Sequence, residues 1–215
     1  MAKKATKKEI QIIKEVFIET FSDAVTELNY EDDFQLLIAI ILSAQCTDKR
    51  VNIITPALFK KYPTPSDLAQ ADVDEVKSYL NTCSFFNNKA KNIIKMSMSV
   101  EEDFAGNIPA DAKKLIKLAG VGQKTANVFM IERHGANLMA VDTHVFRVSH
   151  RLGLSDAKTV EKTEIELVKK LKDDLHIFHQ AMVLFGRYTC KAIKPECDKC
   201  LFPEVCKTTK SFKPS

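Results

Sequence analysis

The sequence predicts an all-α fold. Apolar residues recur at i, i+3 and i+4 spacing through most of its 215 residues, which is the period of an amphipathic helix. No segment alternates apolar and polar residues as a half-buried strand does, and no Asn-Gly hairpin signal occurs. The segments predicted to be helical are residues 7–21, 32–45, 47–62, 64–71, 72–83, 88–104, 111–119, 122–134, 142–154, 158–171 and 174–190.

The first two helices show the pattern most clearly. KKEIQIIKEVFIETF carries apolar residues at helical spacing among charged ones. DDFQLLIAIILSAQ begins with aspartates, which favour helix starts, and is apolar nearly all round, as a central buried helix is. Its apolar run is too short to span a bilayer. Further along, Pro56 predicts a local interruption and Gly153 predicts a helix end.

The charge distribution points to a polyanion as partner. The net charge is +4, but residues 1–14 and residues 186–215 each carry +4, so the middle is acidic. If the two ends meet, they form one basic lobe suited to nucleic acid; ordinary charged termini are the alternative. The N-terminus lacks the apolar core of a signal peptide, so we expect a soluble chain, cytoplasmic and nucleoid-associated if it is prokaryotic.

Four of the six cysteines are close together near the C-terminus, with the spacing C-x6-C-x2-C-x5-C. The segment between them contains two prolines and little helical periodicity, so we expect a loop around a metal centre. Four thiolates can hold zinc or a [4Fe–4S] cluster, and spacing alone leaves both open. These cysteines are Cys190, Cys197, Cys200 and Cys206. Cys46 and Cys83 are expected to act as small buried hydrophobes.

A glycine-rich turn joins two predicted helices in LAGVGQKTANV, residues 118–128. Gly120 and Gly122 allow a tight positive-φ turn, and amides at the start of the following helix can bind a phosphate. An ordinary helix connection is the alternative. Lys124 begins that helix, where the helix dipole lowers the cost of losing its proton, so it is a candidate Schiff-base nucleophile; a solvated surface lysine is the alternative.

A carboxylate at the start of another predicted helix is the second candidate for chemistry. Asp142 in VDTHVFR is expected to be an N-cap. An ionised capping carboxylate can also face a developing positive charge, so the structural and the catalytic roles are compatible.

In this order, LAGVGQKTANV, VDTHVFR and the GRYTC…C-x2-C…C ending resemble the endonuclease III family of DNA glycosylases. LSAQCTDKRVN and FFNNKAKNI resemble the same family's earlier motifs, and the resemblance covers roughly residues 25–206. It implies a [4Fe–4S] cluster rather than zinc, because the family's cluster loop has this cysteine spacing. Two departures from the family pattern are Ala119, where the hairpin usually has proline, and Ser84, where a glycine often precedes the wedge residue.

The resemblance assigns roles residue by residue. Lys124 matches the Schiff-base lysine and Asp142 the catalytic aspartate. Gln45 matches the residue that fills the gap left by an extruded base, Phe85 the opposing wedge, and His144 a histidine of the DNA-facing cleft. The remaining implied contacts are the hairpin residues Gly120, Val121 and Gly122, the phosphate-facing loop lysines Lys191, Lys194 and Lys199, and the cluster ligands Cys190, Cys197, Cys200 and Cys206.

The resemblance also implies the fold and the activity. We expect a two-domain helix-hairpin-helix fold, with a six-helix barrel-like domain over residues 25–134, a cluster domain formed by residues 1–24 and 135–215, and a DNA-binding cleft between them. We expect a monomeric glycosylase and abasic-site (AP) lyase that acts on double-stranded DNA with damaged bases or abasic sites, removing oxidised pyrimidines and nicking 3′ to the site.

Two alternatives stay open. The lesion could be a pyrimidine dimer or an oxidised purine, since related enzymes share the catalytic pair. The chain could also be a non-catalytic iron–sulfur protein that binds DNA or senses redox state.

Overall fold

The all-α prediction is confirmed. The computed structural model describes residues 4–208, and within that range the chain forms eleven α-helices, one short 3₁₀ turn and no strand. In chain order the helices are α1 (Lys7–Phe21), α2 (Asp33–Ser43), α3 (Asp48–Lys61), α4 (Pro65–Ala69), α5 (Val73–Leu80), α6 (Phe86–Phe104), α7 (Ala112–Leu115), α8 (Gln123–His134), α9 (Thr143–Arg151), α10 (Val160–Leu171) and α11 (Leu175–Tyr188), and the 3₁₀ turn is Cys197–Lys199.

Local sequence explains why the helices begin where they do. Short polar side chains at the N-cap accept hydrogen bonds from first-turn N–H groups that have no acceptor within the helix. Thr6 and Glu9 form a complete capping box at the start of α1. The other N-caps with this hydrogen bond are Asp32, Thr47, Thr64, Asp72, Asp111, Asp142 and Thr159.

The interruption predicted at Pro56 is wrong, because α3 continues through it from Asp48 to Lys61. A proline inside a helix costs about 3 kcal/mol through one lost hydrogen bond and a steric clash. Ile54 and Leu58 lie on either side of Pro56 and are both buried, so the two halves of the helix are held by the same core. Gly153 does follow the end of α9 and has a φ of 71°, as predicted for a helix stop.

The contacts divide the described residues into two compact units. The internal unit is Thr26–His134 and contains α2 to α8. Its centre is α2, in which every residue from Phe34 to Leu42 is buried, as expected of a helix that is apolar all round. The packing of α2 against α3, α6 and α8 places the ends of these helices, and the loops that follow them, around one core.

The terminal unit combines the chain up to Val25 with the chain from Gly135 onward. An aromatic group joins the two ends: the ring centroid of Phe17 lies 4.7 Å from that of Phe202 and 5.9 Å from that of Phe185. An ion pair of 2.6 Å between Lys207 Nζ and Glu9 Oε1 adds to this contact. The two ends therefore lie in one unit, although Lys3, Lys210 and Lys213 of the basic ends lie outside the described residues.

Among the described residues, no helix is long and apolar enough to cross a membrane.

Candidate active site and cysteine cavity

The glycine-rich turn between α7 and α8 forms as a tight connection. Val121 N donates to Leu118 O at 3.1 Å, and Gly120 has a φ of 81°, so the turn closes even though Ala119 stands where the family usually has proline. A Cβ on Gly120 would lie 3.0 Å from Asn92 Cβ, so this position needs glycine for two reasons. The positive φ expected at Gly122 is wrong: Gly122 has no such φ, and a Cβ there would meet nothing within 4 Å.

The Val121 side chain anchors this turn. It is buried in the core of the internal unit, and its N–H is already donated to Leu118 O. Its amide is therefore engaged within the turn. The N–H groups that can face an anion are those of Gly122 and of the first turn of α8, which lack acceptors within the helix.

Lys124 is the second residue of α8 and is exposed. Its amine makes no hydrogen bond or ion pair with any other described residue, so it is accessible to a ligand. The buried residues Ala126 and Phe129 hold the opposite face of α8 in the core. An unengaged amine on a rigid helix start, beside amides that can bind phosphate, suits a nucleophile directed at a nucleotide.

Asp142 is the N-cap of α9, as predicted. Its Oδ1 accepts a hydrogen bond from Val145 N at 2.7 Å, and no described residue donates a hydrogen bond to Oδ2. The carboxyl group is half-buried, and the residues before it, Met139 to Val141, are buried and orient it. The cap thus fixes one oxygen and leaves the other able to face positive charge. Lys124 belongs to the internal unit and Asp142 to the terminal unit.

His144, in the first turn of α9, is held by Arg147. Arg147 Nη2 lies 3.1 Å from His144 Nδ1 and also donates to Gly186 O at 2.7 Å. Because Arg147 is a donor, a neutral His144 carries its proton on Nε2. Gly186 permits this packing, since a Cβ there would lie 2.9 Å from His144 Cβ. Burial lowers the pKa of Arg147.

Gln45 and Phe85 are both exposed and both adopt a left-handed backbone, with φ of 54° and 58°. Such a backbone costs a non-glycine residue roughly 1–2 kcal/mol. Phe85 is a large apolar side chain that is 64% exposed, and it starts α6 without a side-chain cap. Ser84 is exposed beside it. Both residues lie in the internal unit, at loops that follow α2 and α5.

The four clustered cysteines line one cavity in the terminal unit, together with Arg151, Thr189, Pro195, Glu196 and Thr208. Two donors face their sulfurs: Arg151 Nη1 lies 3.2 Å from Cys190 Sγ, and Phe202 N lies 3.3 Å from Cys200 Sγ. Burial raises the pKa of the Cys197 and Cys200 thiols, and the neighbouring thiols raise it further. Among the described residues, no group of three or more His, Cys, Asp or Glu could hold a single metal ion.

The lysines of the cysteine loop differ in how free they are. Glu196 forms an ion pair with Lys191 and another, of 3.1 Å, with Lys199. These two lysines lower the pKa of Glu196. Lys194 is exposed and pairs with no described residue, so it offers the loop's unneutralised charge.

Three buried or half-buried basic residues are not predicted as functional from the sequence. Arg147 and Arg151 donate to the Cys190 carbonyl, and Lys89 is buried in the internal unit. The spacing of Arg147 and Arg151 on one helix face was a visible signal. Lys89 gave none, because helical periodicity does not predict which lysine is buried.

Comparisons with known proteins identify a matching family and similar proteins. The family described as "HhH-GPD superfamily base excision DNA repair protein" matches residues 38–173. The protein named Endonuclease III of Rickettsia conorii is 45% identical over 195 residues, which cover 90% of this chain and 93% of the relative.

Two solved structures are also similar, each at 40% identity and covering 97% of this chain and 99% of the other. One, "Structure of a Trapped Endonuclease III-DNA Covalent Intermediate: Estranged-Adenine Complex", has a TM-score of 0.90. The other, "Structure of a non-covalent Endonuclease III-DNA Complex", has a TM-score of 0.89.

Proposed function

This chain belongs to the HhH-GPD superfamily of base excision DNA repair proteins, and we propose that it removes oxidised pyrimidines from duplex DNA. It is a bifunctional enzyme, a DNA glycosylase and AP lyase, rather than the non-catalytic protein considered from the sequence. The single observation in its own structure that best supports the lyase chemistry is the exposed, unengaged amine of Lys124 beside the hairpin.

Lys124 forms the covalent bond. Its neutral amine attacks C1′ of the damaged nucleotide, and the base leaves as the C1′–N bond breaks. The departing base takes up the proton that the amine loses. The C1′–O4′ bond then breaks and opens the sugar ring, a second amine proton goes to O4′, and the C1′=N imine that forms makes the C2′ proton acidic. Loss of that proton expels the 3′ phosphate by β-elimination, which nicks the strand 3′ to the lesion. Hydrolysis of the imine then returns Lys124 as a free amine.

Asp142 stabilises positive charge at the sugar as the base departs. Its Oδ1 is occupied by Val145 N, so the fixed orientation comes from the cap and the charge is available through Oδ2. A preoriented carboxylate acts mainly on the transition state, where the charge develops. Helix capping and catalysis thus use the same side chain.

The damaged nucleotide must leave the base stack before Lys124 can reach it, at a cost of a few kcal/mol. Gln45 and Phe85 fill the vacated space. Their exposure and left-handed backbones favour this role, because strained conformations persist where surrounding structure holds them for function. His144, with its proton on Nε2, donates to DNA.

The phosphates are held by backbone amides and basic side chains. The N–H groups of Gly122 and of the first turn of α8 bind one phosphate, and Val121 keeps the turn anchored in the core. Lys194 supplies charge from the cysteine loop, and Lys191 adds charge only when its pair with Glu196 opens. The chain acts as a monomer on duplex DNA with damaged bases or abasic sites.

A [4Fe–4S] cluster is the proposed resident cofactor, with Cys190, Cys197, Cys200 and Cys206 as ligands. The four thiols line one cavity and two donors face their sulfurs, which fits a group held by thiolates. When bound, the cluster cross-links the loop that presents Lys194.

Trapping with borohydride tests the nucleophile. Wild-type enzyme on duplex DNA with 5,6-dihydrothymine should form a covalent adduct after reduction, because only an amine forms the imine. Lys124→Ala should lose trapping and nicking while it keeps its melting temperature. Lys95→Ala is the matched control, since Lys95 is also an exposed lysine of the internal unit. Adduct formation by Lys124→Ala at the wild-type rate would remove Lys124 from this role.

A panel of single-lesion duplexes tests the lesion. Release of oxidised pyrimidines should exceed release of an oxidised purine or cleavage at a pyrimidine dimer. The opposite order would keep the enzyme class and replace the substrate.

A further inference from the structure

Lys89 is a buried lysine, only 6% exposed, in α6 of the internal unit. Its ammonium has three acceptors: Leu42 O at 2.8 Å, Ala44 O at 2.6 Å and Cys83 Sγ at 3.2 Å. A lysine ammonium has three N–H donors, so each donor has a partner. A buried cation satisfied mainly by backbone carbonyls holds those carbonyls firmly, because leaving either one unpaired is costly.

The two carbonyls belong to the end of α2. Leu42 is in its last turn and Ala44 is its C-cap, where carbonyls lack partners within the helix and favour a cation. The next residue is Gln45, which has a φ of 54°. Cys46 N donates to Ser43 O at 3.0 Å and closes the turn. Lys89 therefore fixes the backbone immediately before Gln45.

The third acceptor belongs to the loop that carries Phe85. Cys83 is buried, lies two residues before Phe85, and its Sγ also lies 3.5 Å from Leu42 O. Burial raises the pKa of the Cys83 thiol, so it acts as a neutral partner between Lys89 and the end of α2. Through Cys83 the same ammonium contacts both loops.

We propose that Lys89 is a positioning residue that holds Gln45 and Phe85 in the left-handed conformations with which they enter the base stack. This inference rests on the proposed function, in which these two side chains fill the space of the extruded nucleotide. Lys89 touches neither DNA nor the reacting atoms. It acts on extrusion of the damaged nucleotide and leaves the chemistry of Lys124 unchanged.

If Lys89 acts on extrusion and not on the chemistry of Lys124, its substitution should affect only substrates whose damaged nucleotide must be extruded. Lys89→Met removes the three donors while it keeps an unbranched side chain. The single-turnover rate of base release from a 5,6-dihydrothymine duplex should fall at least about tenfold. If Gln45 and Phe85 enter the stack less well, they offset less of the free energy needed to extrude the nucleotide, and the activation barrier rises. Cleavage of an abasic site in single-stranded DNA needs no extrusion and should stay within about threefold of wild type.

A fluorescent base reports on stack invasion directly. With 2-aminopurine opposite the lesion, binding of wild-type enzyme should raise the fluorescence, and Lys89→Met should give a smaller rise at saturating protein. Lys91→Met is the matched control, because Lys91 is an exposed lysine of the same helix. If Lys89→Met does not fold, Cys83→Ala provides the test, since it removes one of the three acceptors. It should reduce base release from the lesion duplex, by less than Lys89→Met, and leave cleavage of the single-stranded abasic site nearly unchanged.

Equal rates for Lys89→Met and wild type on the lesion duplex would overturn the inference. So would equal losses on the duplex and the single-stranded substrate, which would indicate a general structural role. A wild-type enzyme that neither releases the base nor changes the fluorescence would instead contradict the proposed function.

Discussion

Gly120 and Gly122 lie two residues apart in one hairpin, yet substituting them should have opposite consequences. Gly120→Ala places a Cβ on a backbone with a φ of 81°, which costs roughly 1–2 kcal/mol. The new Cβ also lies 3.0 Å from Asn92 Cβ, and such overpacking adds about 1–3 kcal/mol. The free energy of unfolding should fall by about 2–5 kcal/mol, a drop in melting temperature of roughly 4–20 °C for a chain of this size.

Gly122→Ala adds a Cβ that meets nothing within 4 Å, on a backbone without positive φ. Stability should change by less than about 0.5 kcal/mol, as for other surface substitutions. If the Gly122 amide binds a DNA phosphate, the added methyl group obstructs close approach. A hydrogen bond to a charged group contributes about 1.5–3 kcal/mol, so duplex affinity should fall at least about tenfold.

Thermal melting and fluorescence anisotropy on an abasic-site-analogue duplex, at one fixed salt concentration, measure the two effects separately. Gly120→Ala protein should be assayed well below its lower melting temperature, so that unfolding does not imitate weak binding. A folded Gly122→Ala protein with wild-type affinity would refute the phosphate contact. A Gly120→Ala protein with unchanged melting temperature would refute the steric argument.

Two further predictions concern the cofactor and pH. Protein purified without air or chelator should contain about four iron atoms per chain with broad absorption near ~400 nm, whereas stoichiometric zinc without iron would contradict the cluster. Burial raises the pKa of Glu132 from 4.5 to about 7; one oxygen accepts from Thr26 N, and the other is buried without a partner. Folding therefore favours the protonated form of Glu132. The stability that depends on this protonated carboxyl group is complete below pH 4.5 and is lost as pH rises through 7. Glu132→Gln should then stabilise the protein by about 1–3 kcal/mol at pH 8 and have little effect at pH 5, and an equal effect at both pH values would contradict the assignment.

Most of the helical framework could be predicted from the sequence. Apolar periodicity and N-cap residues are local signals, so the start of α9 at Asp142 and the buried helix α2 follow from neighbouring residues alone. The interruption predicted at Pro56 is wrong because the cost of proline in a helix is local, whereas the burial of Ile54 and Leu58 that offsets it is tertiary. The positive φ predicted at Gly122 is wrong because composition indicates that a turn exists and leaves open which glycine has positive φ.

The sequence by itself determined the residue types and the order of the motifs: a lysine after a glycine-rich turn, an aspartate at a helix start, and four cysteines in one loop. Only the tertiary structure decided which charges are free and which are engaged. Lys124 and Lys194 are exposed and unpaired among the described residues, Lys191 pairs with Glu196, and Lys89 is buried against backbone carbonyls. All four are the same residue type, and their difference comes from solvent exposure and from partners distant in sequence, which no local pattern encodes.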